Sequence, residues 1–204
     1  MTLSEFDNEI RKDHNVVCGC DEAGRGPLAG DVFAAAVIFD KDTVIKGIND
    51  SKKLTAKKRE ELFDEIMEKA VDFSIQTATV EEIEDINILN AAMLAMKRAV
   101  EDMDTKPDVC LIDGNKTPEG LECPAIAVVK GDAKSQAVAA ASILAKVARD
   151  RYMEQMAEQY PEYRFEKHKG YGTKLHYQMI DQYGPCGIHR MSFLKKYYAK
   201  KNGH

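Results

Sequence analysis

The sequence predicts an α/β protein in which helices flank a mixed β-sheet. Short apolar segments of strand length, longer segments with helical periodicity, and the interleaved order of the two support this class. The 204 residues are 44% apolar and 31% charged, which is ordinary for a globular domain and excludes collagen-like, low-complexity and disordered chains. No apolar run approaches the ~20 residues of a membrane span, and the polar N-terminus does not resemble a secretory signal, so we expect a cytoplasmic protein.

The first half of the predicted sheet comes from residues 16–21, 32–39 and 73–80. The run VFAAAVIF at 32–39 is continuous, as in a strand that is covered on both faces, and the glycine-rich GRGPLAG precedes it. Residues 73–80 alternate and are rich in β-branched side chains, which predicts a strand. Between them, apolar residues spaced among many charges predict an amphipathic surface helix at 56–69.

The second half of the chain contributes two short apolar strands at 109–113 and 125–129. A helix at 88–101 precedes them, where apolar side chains recur at helical spacing, and a long alanine-rich helix at 135–159 follows. We divide the chain into a core at 1–162 and a basic C-terminal segment of helix and loop at 163–204, with a short helix near 174–182.

The charge of the chain is divided unevenly along its length. The net charge is −5, yet residues 163–204 carry nine Lys or Arg and two acidic residues, against 20 and 32 in residues 1–162. A basic segment on an acidic body is typical of a nucleic-acid-binding protein whose body also holds metal-binding carboxylates. A solvated basic surface without a partner is the alternative.

Four acidic residues stand where predicted apolar strands end, and each has a glycine next to it or nearby. They are Asp21, Glu22, Asp113 and Asp132. Buried charges are costly unless they are paired or bind a metal, and converging carboxylates repel each other unless a cation lies between them. Oxygen ligands favour Mg²⁺ or Mn²⁺ over zinc, and two such ions ~4 Å apart can promote phosphodiester hydrolysis. The alternative is that these acids cap helices or end strands at the surface.

Asp21 and Glu22 present a geometric difficulty for such a site. Adjacent strand residues point to opposite faces of a sheet, so both cannot reach one ion from an ideal strand. Either the strand ends at this point, or Glu22 reaches a second ion or contributes its carbonyl oxygen.

Seven sequence blocks, in order, resemble those of type 2 ribonuclease H, ribonuclease HII. They are DEAGRGP at 21–27, DSKKL at 50–54, IDGN at 112–115, VKGD at 129–132, AASILAKV at 140–147, HKGYGT at 168–173 and HRMSF at 189–193. The resemblance implies a ribonuclease H-like fold with a helical C-terminal segment. It also implies a Mg²⁺- or Mn²⁺-dependent endonuclease that acts on RNA/DNA hybrids and on single ribonucleotides in duplex DNA.

The resemblance assigns roles to individual residues. The four acids would bind the metal ions and carry the catalysis. Gly24, Arg25 and Gly26 would recognise the ribose 2′-hydroxyl, largely through backbone groups. Glycine allows a backbone to approach a sugar closely, and the 2′-hydroxyl is what distinguishes a ribonucleotide from DNA.

Further substrate contacts follow from the same resemblance. Tyr171 would stack on the deoxyribose after the ribonucleotide, so that a junction is recognised. Lys53, Ser142 and Lys146 would bind flanking phosphates, as Ser and Lys side chains often do. Without the resemblance, Tyr171 is expected to be an ordinary half-buried tyrosine. The two lysines are then expected to be solvated at the surface, and Ser142 to be a hydroxyl on a helix. Three histidines are expected to be structural or near phosphates rather than general bases: His168, His176 and His189.

The expected reaction cleaves 5′ of the ribonucleotide and leaves 3′-hydroxyl and 5′-phosphate ends. Two alternatives remain: a protein that binds hybrids without cutting, against which the four acids argue, and a related nuclease for DNA branches, against which GRG and Tyr171 argue. No sliding-clamp motif accompanies Tyr197 and Tyr198, and we expect a monomer. Asp31 departs from the family pattern and adds a charge near the second strand.

Overall fold

The computed structural model describes residues 1–48, 51 and 54–202 of the chain. In these residues five strands occur: β1 (Val17–Ala23), β2 (Val32–Ile38), β3 (Asp72–Ala78), β4 (Val109–Asp113) and β5 (Ala125–Val128). They form one sheet in the order β3-β2-β1-β4-β5, in which β1, β2 and β3 are antiparallel neighbours and β4 and β5 run parallel to β1. The predicted mixed sheet is confirmed, with strand ends that differ by at most two residues.

Seven α-helices accompany the sheet in the described part of the chain. They are α1 (Leu3–Ile10), α2 (Ala56–Lys69), α3 (Val80–Glu101), α4 (Gln136–Gln159), α5 (Phe165–His168), α6 (Lys174–Tyr183) and α7 (Met191–Asn202). Helices α2, α4 and α6 agree with their predicted ranges to within one residue. None of the helices that the structure describes is long and apolar enough to span a bilayer.

The two faces of the sheet are covered by different helices. Alternate residues of β2 face opposite ways: Ala34 and Ala36 pack with α3, and Ala35 and Val37 pack with α2 and α4. Helix α4 lies unusually close to β1, because a Cβ added at Gly19 would overlap the backbone of α4. The sheet is therefore sandwiched between helices, and α4 is held against the strand that carries the first two acids.

Helix α3 begins earlier than the sequence predicts. The predicted strand at 73–80 ends at Ala78, and Thr79 caps α3 in a capping box with Glu82. The predicted helix at 88–101 is only the second part of α3, because Asn87 (φ 68°) breaks the helical backbone. The break shifts the phase of the apolar stripe, so periodicity alone identifies only the part that follows it.

Helix α1 is absent from the sequence prediction. Thr2 and Glu5 form a capping box at its start. Its Asp7 is buried, and the carboxylate accepts a hydrogen bond from the backbone N–H of Ala137 at 3.0 Å. This contact joins the N-terminal helix to the first turn of α4.

The C-terminal segment packs on the loop between β1 and β2. Leu28 N–H donates to Gly170 O at 2.8 Å, and Gly30 N–H donates to Ile188 O at 2.8 Å. Arg190 N–H in turn donates to Leu28 O at 2.8 Å. The glycine-rich loop is thus covered by residues that are distant from it in sequence. The predicted division of the chain at residue 162 stays a prediction.

Candidate active site

The four predicted acids lie at one edge of the sheet. Asp21 and Glu22 are near the end of β1, Asp113 ends β4, and Asp132 lies in a short 3₁₀ turn (Gly131–Ala133) after β5. These three strands are parallel, so their carboxyl ends meet at the same edge. The Gly131 N–H donates to Asp113 Oδ1 at 2.6 Å, which holds the turn that carries Asp132 beside β4.

Asp21 and Glu22 both belong to β1, which continues to Ala23. The expectation that the strand ends at this pair is therefore wrong. Asp21 is buried at 6% exposure on the side of α4, while Glu22 reaches Arg25, whose Nη1 lies 3.1 Å from Glu22 Oε1. The two carboxylates thus begin from opposite faces, and the prediction that Glu22 reaches a second ion stays open.

The charge of Asp21 is strongly disfavoured in this position. Burial raises the pKa of Asp21 well above its usual value, and the negative charges of Glu22 and Asp113 raise it further. A cation among these carboxylates would relieve both effects, and a site made only of oxygen atoms suits Mg²⁺ or Mn²⁺. In the described residues no three His, Cys, Asp or Glu side chains are arranged to hold a metal ion as they stand. Glu22 instead binds Arg25, and it would have to exchange that partner to become a ligand.

A cleft of about 200 Å³ opens beside the acids. Its lining residues are Glu22, Ala23, Gly24, Arg25, Gly26, Ser51, Ser142, Lys146 and Tyr171. Six of the seven predicted substrate-binding residues therefore line one cleft together with one predicted acid. The seventh, Lys53, lies outside the described residues.

The GRG loop depends on glycine at its first position. Gly24 has φ +100°, and a Cβ there would overlap the side chain of Arg149. Gly26 faces the cleft differently, since a Cβ would lie 3.7 Å from the ring of Tyr171. The first glycine is required by the backbone and a buried neighbour, whereas a Cβ at the second would make an ordinary van der Waals contact with Tyr171.

Arg190 shapes this loop and was not identified as functional from the sequence. Its fully buried guanidinium donates to the carbonyl oxygens of Gly24 at 2.7 Å, Pro27 at 2.9 Å and Gly30 at 2.6 Å. It also donates to Arg25 O at 3.2 Å. Only its place in the HRMSF block marks it, because a buried arginine cannot be recognised from its own residue type.

The carbonyl groups that Arg190 binds determine where the loop N–H groups point. In a planar trans peptide the C=O and the next N–H point in opposite directions. With the Gly24 and Arg25 carbonyls turned towards Arg190, the N–H groups of Arg25 and Gly26 face away from it. Neither N–H has a hydrogen-bond acceptor among residues 1–48, 51 and 54–202. As far as the described residues extend, the loop therefore presents two unpaired donors.

Arg149 and Asp31 complete the support of the loop. Arg149 is buried and donates to the carbonyls of Asp31, Ala29 and Lys169, each at 3.0 Å. The Asp31 carboxylate accepts from Val80 N–H at 2.9 Å, at the start of α3. The departure at Asp31 thus places a negative charge near two buried arginines and at a helix start, not among the four acids.

Tyr171 stands at the open side of the cleft with 42% of its surface exposed. Lys146 Nζ lies 5.9 Å from the centre of its ring and is paired with Asp150 at 2.6 Å. Ser142 is buried, with its hydroxyl 3.0 Å from that of Ser51. His168, His176 and His189 are all buried, and their assignment as structural or phosphate-proximal groups rather than general bases stays a prediction.

Comparisons with known proteins find similarity to one family. The sequence model of the Ribonuclease HII family matches residues 18–196. Ribonuclease HII of Caldicellulosiruptor saccharolyticus is 54% identical over 189 residues, which cover 93% of this chain and 92% of that protein.

Two solved structures have the same fold. The ribonuclease H2 of Pyrococcus horikoshii OT3 superposes with a TM-score of 0.72 at 30% identity, over 87% of this chain and 93% of that one. The RNase HII of Archaeoglobus fulgidus, solved as a PCNA complex, gives a TM-score of 0.70 at 27% identity, over 86% and 94% of the two chains. The predicted ribonuclease H-like fold is therefore confirmed.

Proposed function

The chain belongs to the ribonuclease HII family, endonucleases that cleave RNA in RNA/DNA hybrids, and we propose that it also nicks duplex DNA at single ribonucleotides in a metal-dependent reaction. The cut falls on the 5′ side of the ribonucleotide and leaves 3′-hydroxyl and 5′-phosphate ends. The observation that carries this proposal is the single cleft in which the GRG loop, Tyr171 and Glu22 meet.

The four acids are the ligands in this proposal: Asp21, Glu22, Asp113 and Asp132. The raised pKa of Asp21, caused by burial and by two neighbouring negative charges, supports a cation as the missing partner. The oxygen donors suit Mg²⁺ or Mn²⁺, in a site for two ions. Bound there, such ions supply an activated water and stabilise the oxygen that leaves the phosphate.

Ribose recognition rests on the GRG loop. The N–H groups of Arg25 and Gly26 face away from Arg190 and have no acceptor in the described structure, so they are free to bind the 2′-hydroxyl. A deoxyribose offers these donors nothing, which explains a preference for ribonucleotides. Tyr171 stacks on the next sugar in this proposal, which is supported by its place across the cleft from Gly26.

Phosphate binding falls to side chains around the same cleft. Ser142 and Lys146 line it on α4, and Lys53 is included from the family pattern alone. Lys146 now pairs with Asp150 and must turn from it towards a phosphate. The nine basic residues at 163–204 extend the binding surface for RNA/DNA hybrid and ribonucleotide-containing DNA.

We extend the proposal to a cytoplasmic monomer that works without a sliding clamp. The Archaeoglobus relative was solved with PCNA, but in this chain no glutamine lies within the 14 residues before the paired tyrosines. Tyr197 is also engaged within the chain, since its hydroxyl donates to Asp181 and its ring packs on Tyr177.

The test compares DNA with one ribonucleotide, an RNA/DNA hybrid and an all-DNA duplex. With Mg²⁺ we expect a nick 5′ of the ribonucleotide and cleavage of the hybrid, both lost with chelator, and an intact all-DNA duplex. Asp113→Asn should abolish cleavage but retain binding, since the amide oxygen still accepts from Gly131 N–H. Cleavage of the hybrid alone would overturn the single-ribonucleotide activity. Comparable cleavage of branched all-DNA would favour a DNA-branch nuclease.

A further inference from the structure

Three buried histidines lie directly behind Tyr171. His168, His176 and His189 are 7%, 0% and 2% exposed. The rings of His168 and His176 are stacked with centroids 4.3 Å apart, and Phe165 packs edge-on against His176 at 5.6 Å. Neither catalysis nor substrate binding, as described above, uses these groups.

Hydrogen bonds join two of the rings into a chain whose first direction is fixed by Cys186. The Cys186 backbone N–H lies 2.9 Å from His189 Nδ1, and an amide N–H can only donate. His189 Nδ1 must therefore accept, although the Cys186 carbonyl also lies 3.3 Å from it and the thiol 3.1 Å. A neutral His189 then carries its hydrogen on Nε2.

The contact of His176 with Tyr171, at the other end of the hydrogen-bond chain, gives the same donor-to-acceptor direction independently. His176 Nδ1 lies 3.0 Å from the carbonyl oxygen of Tyr171, which can only accept, so His176 Nδ1 carries the hydrogen. His176 Nε2 is then bare, and it accepts from His189 Nε2–H at 3.0 Å. Every member of the chain has one consistent role. Burial also lowers the pKa of both rings to about 4, which keeps them neutral at pH 7.

The backbone of Tyr171 is held by hydrogen bonds at both of its polar groups, and its N–H donates to His168 O at 2.8 Å. It lies between Gly170, which has φ +83°, and Gly172, and glycine restricts a backbone least. Its carbonyl accepts from Thr173 N–H at 2.8 Å as well as from His176. Among the described residues, His176 is thus the side chain that binds the Tyr171 carbonyl, and it adds to two backbone hydrogen bonds at the residue whose ring extends into the cleft.

We propose that His176 is a positioning residue for Tyr171, oriented by His189, and that it thereby determines how strongly the enzyme prefers a single ribonucleotide to a continuous hybrid. The inference rests on the proposed stacking of Tyr171 on the sugar that follows the ribonucleotide. His176 touches no substrate and acts only through the Tyr171 backbone.

The hydrogen-bond chain can be tested without activity, by ¹⁵N NMR of the histidine side chains at pH 7. We expect His176 as the Nδ1–H tautomer and His189 as the Nε2–H tautomer, with both protons protected from exchange. The opposite tautomer at His176, or a doubly protonated ring, would contradict the proposed directions of the hydrogen bonds. This outcome does not depend on whether the protein cleaves any nucleic acid.

The positioning role is tested by the ratio of cleavage rates on a single-ribonucleotide duplex and on a long hybrid. His176→Phe keeps a ring against Phe165 but removes the donor, and the ratio should fall on the order of tenfold, about the loss of one stacking contact. His176→Asn keeps an N–H near the position of Nδ1 and should restore most of the ratio. Phe165→Leu loosens the packing of the same cluster but leaves the hydrogen bonds between the histidines in place. We therefore expect a lower free energy of unfolding and an unchanged ratio of cleavage rates.

A double-variant cycle separates positioning from general damage. In a Tyr171→Ala background, His176→Phe should not lower the ratio further, because the contact it supports is already gone. Equal effects of His176→Phe with and without Tyr171 would overturn the inference, as would a wild-type ratio in His176→Phe. Wild-type protein that fails to cut the single-ribonucleotide duplex would instead overturn the proposed function and leave the NMR result standing.

Discussion

Arg190 Nη2 donates a hydrogen bond to the carbonyl oxygen of Gly24 at 2.7 Å, although 166 residues separate the two in sequence. The same guanidinium binds the carbonyls of Pro27 and Gly30, with no carboxylate within ion-pair distance in the described structure. A buried cation that is solvated by backbone carbonyls fixes the shape of the loop that carries them. The loop that we propose for ribose recognition is therefore held in shape by the C-terminal segment.

Replacing Arg190 with Lys should weaken both the fold and the discrimination of ribonucleotides. An ammonium group cannot reach all the carbonyls that the planar guanidinium binds, so some lose their partner at a cost of about 1–3 kcal/mol. We expect a lower free energy of unfolding in urea and a cleavage rate at a single ribonucleotide that is lower by roughly tenfold or more. The exposed Arg151→Lys is the matched control and should change neither. Wild-type cleavage by Arg190→Lys would contradict the role of the carbonyl contacts.

Gly24→Ala should cost more than its left-handed backbone alone explains. The strain at φ +100° costs about 1 kcal/mol, and the new methyl group must also displace the buried Arg149 side chain. Gly114→Ala supplies the comparison, because Gly114 has φ +109° but nothing lies within 4 Å of an added Cβ. Chemical unfolding of both variants measures the difference. Equal losses would show that Arg149 moves aside without penalty.

The acids and the GRG loop could be predicted because their signals are local. Strand ends, glycines and motif order are all visible in the chain, and the parallel order of β1, β4 and β5 then brings Asp21 and Asp113 together. The support of the loop could not be predicted in this way. The partners of Arg190 are carbonyl oxygens, which every residue has, and only the fold determines which of them it meets.

The missed helices have the same kind of explanation. Helix α1 is short and mostly polar, and its one buried acid is explained by Ala137, 130 residues away. The first part of α3, apart from Val80 in the predicted strand, receives no assignment from the sequence pattern, because Asn87 interrupts the helical phase. For α1 the deciding contact is distant in the sequence, and for α3 it is the left-handed backbone of Asn87, which the residue type alone does not reveal.

Lowering the pH from 6.5 to 5 should destabilise the protein through the histidine cluster. Burial lowers the pKa of His176 and His189 to about 4, below the ordinary 6.5 that an unfolded chain has. Between these values the unfolded chain binds more protons than the folded protein. The contribution of the histidines to the stability of the folded protein is therefore complete above pH 6.5 and decreases as the pH drops towards 4. For one ring the loss by pH 5 is up to about 2 kcal/mol, measured by urea unfolding at each pH. His176→Phe should flatten this dependence, whereas His14→Gln, outside the cluster, should leave it unchanged; equal slopes in all three proteins would contradict the assignment.

Asp21→Asn should abolish cleavage and at the same time stabilise the metal-free protein. The substitution removes a buried charge that is repelled by Glu22 and Asp113, while the amide can still interact with the Ser142 hydroxyl. We expect the free energy of unfolding in chelator to rise by about 1 kcal/mol, as when strain at a functional site is relieved. Mg²⁺ should stabilise the wild-type protein by binding the folded state and should stabilise the variant much less. Thermal unfolding of both proteins with Mg²⁺ and with chelator measures both effects. Destabilisation of the variant in chelator would mean that the repulsion at this edge is already neutralised by the protein itself.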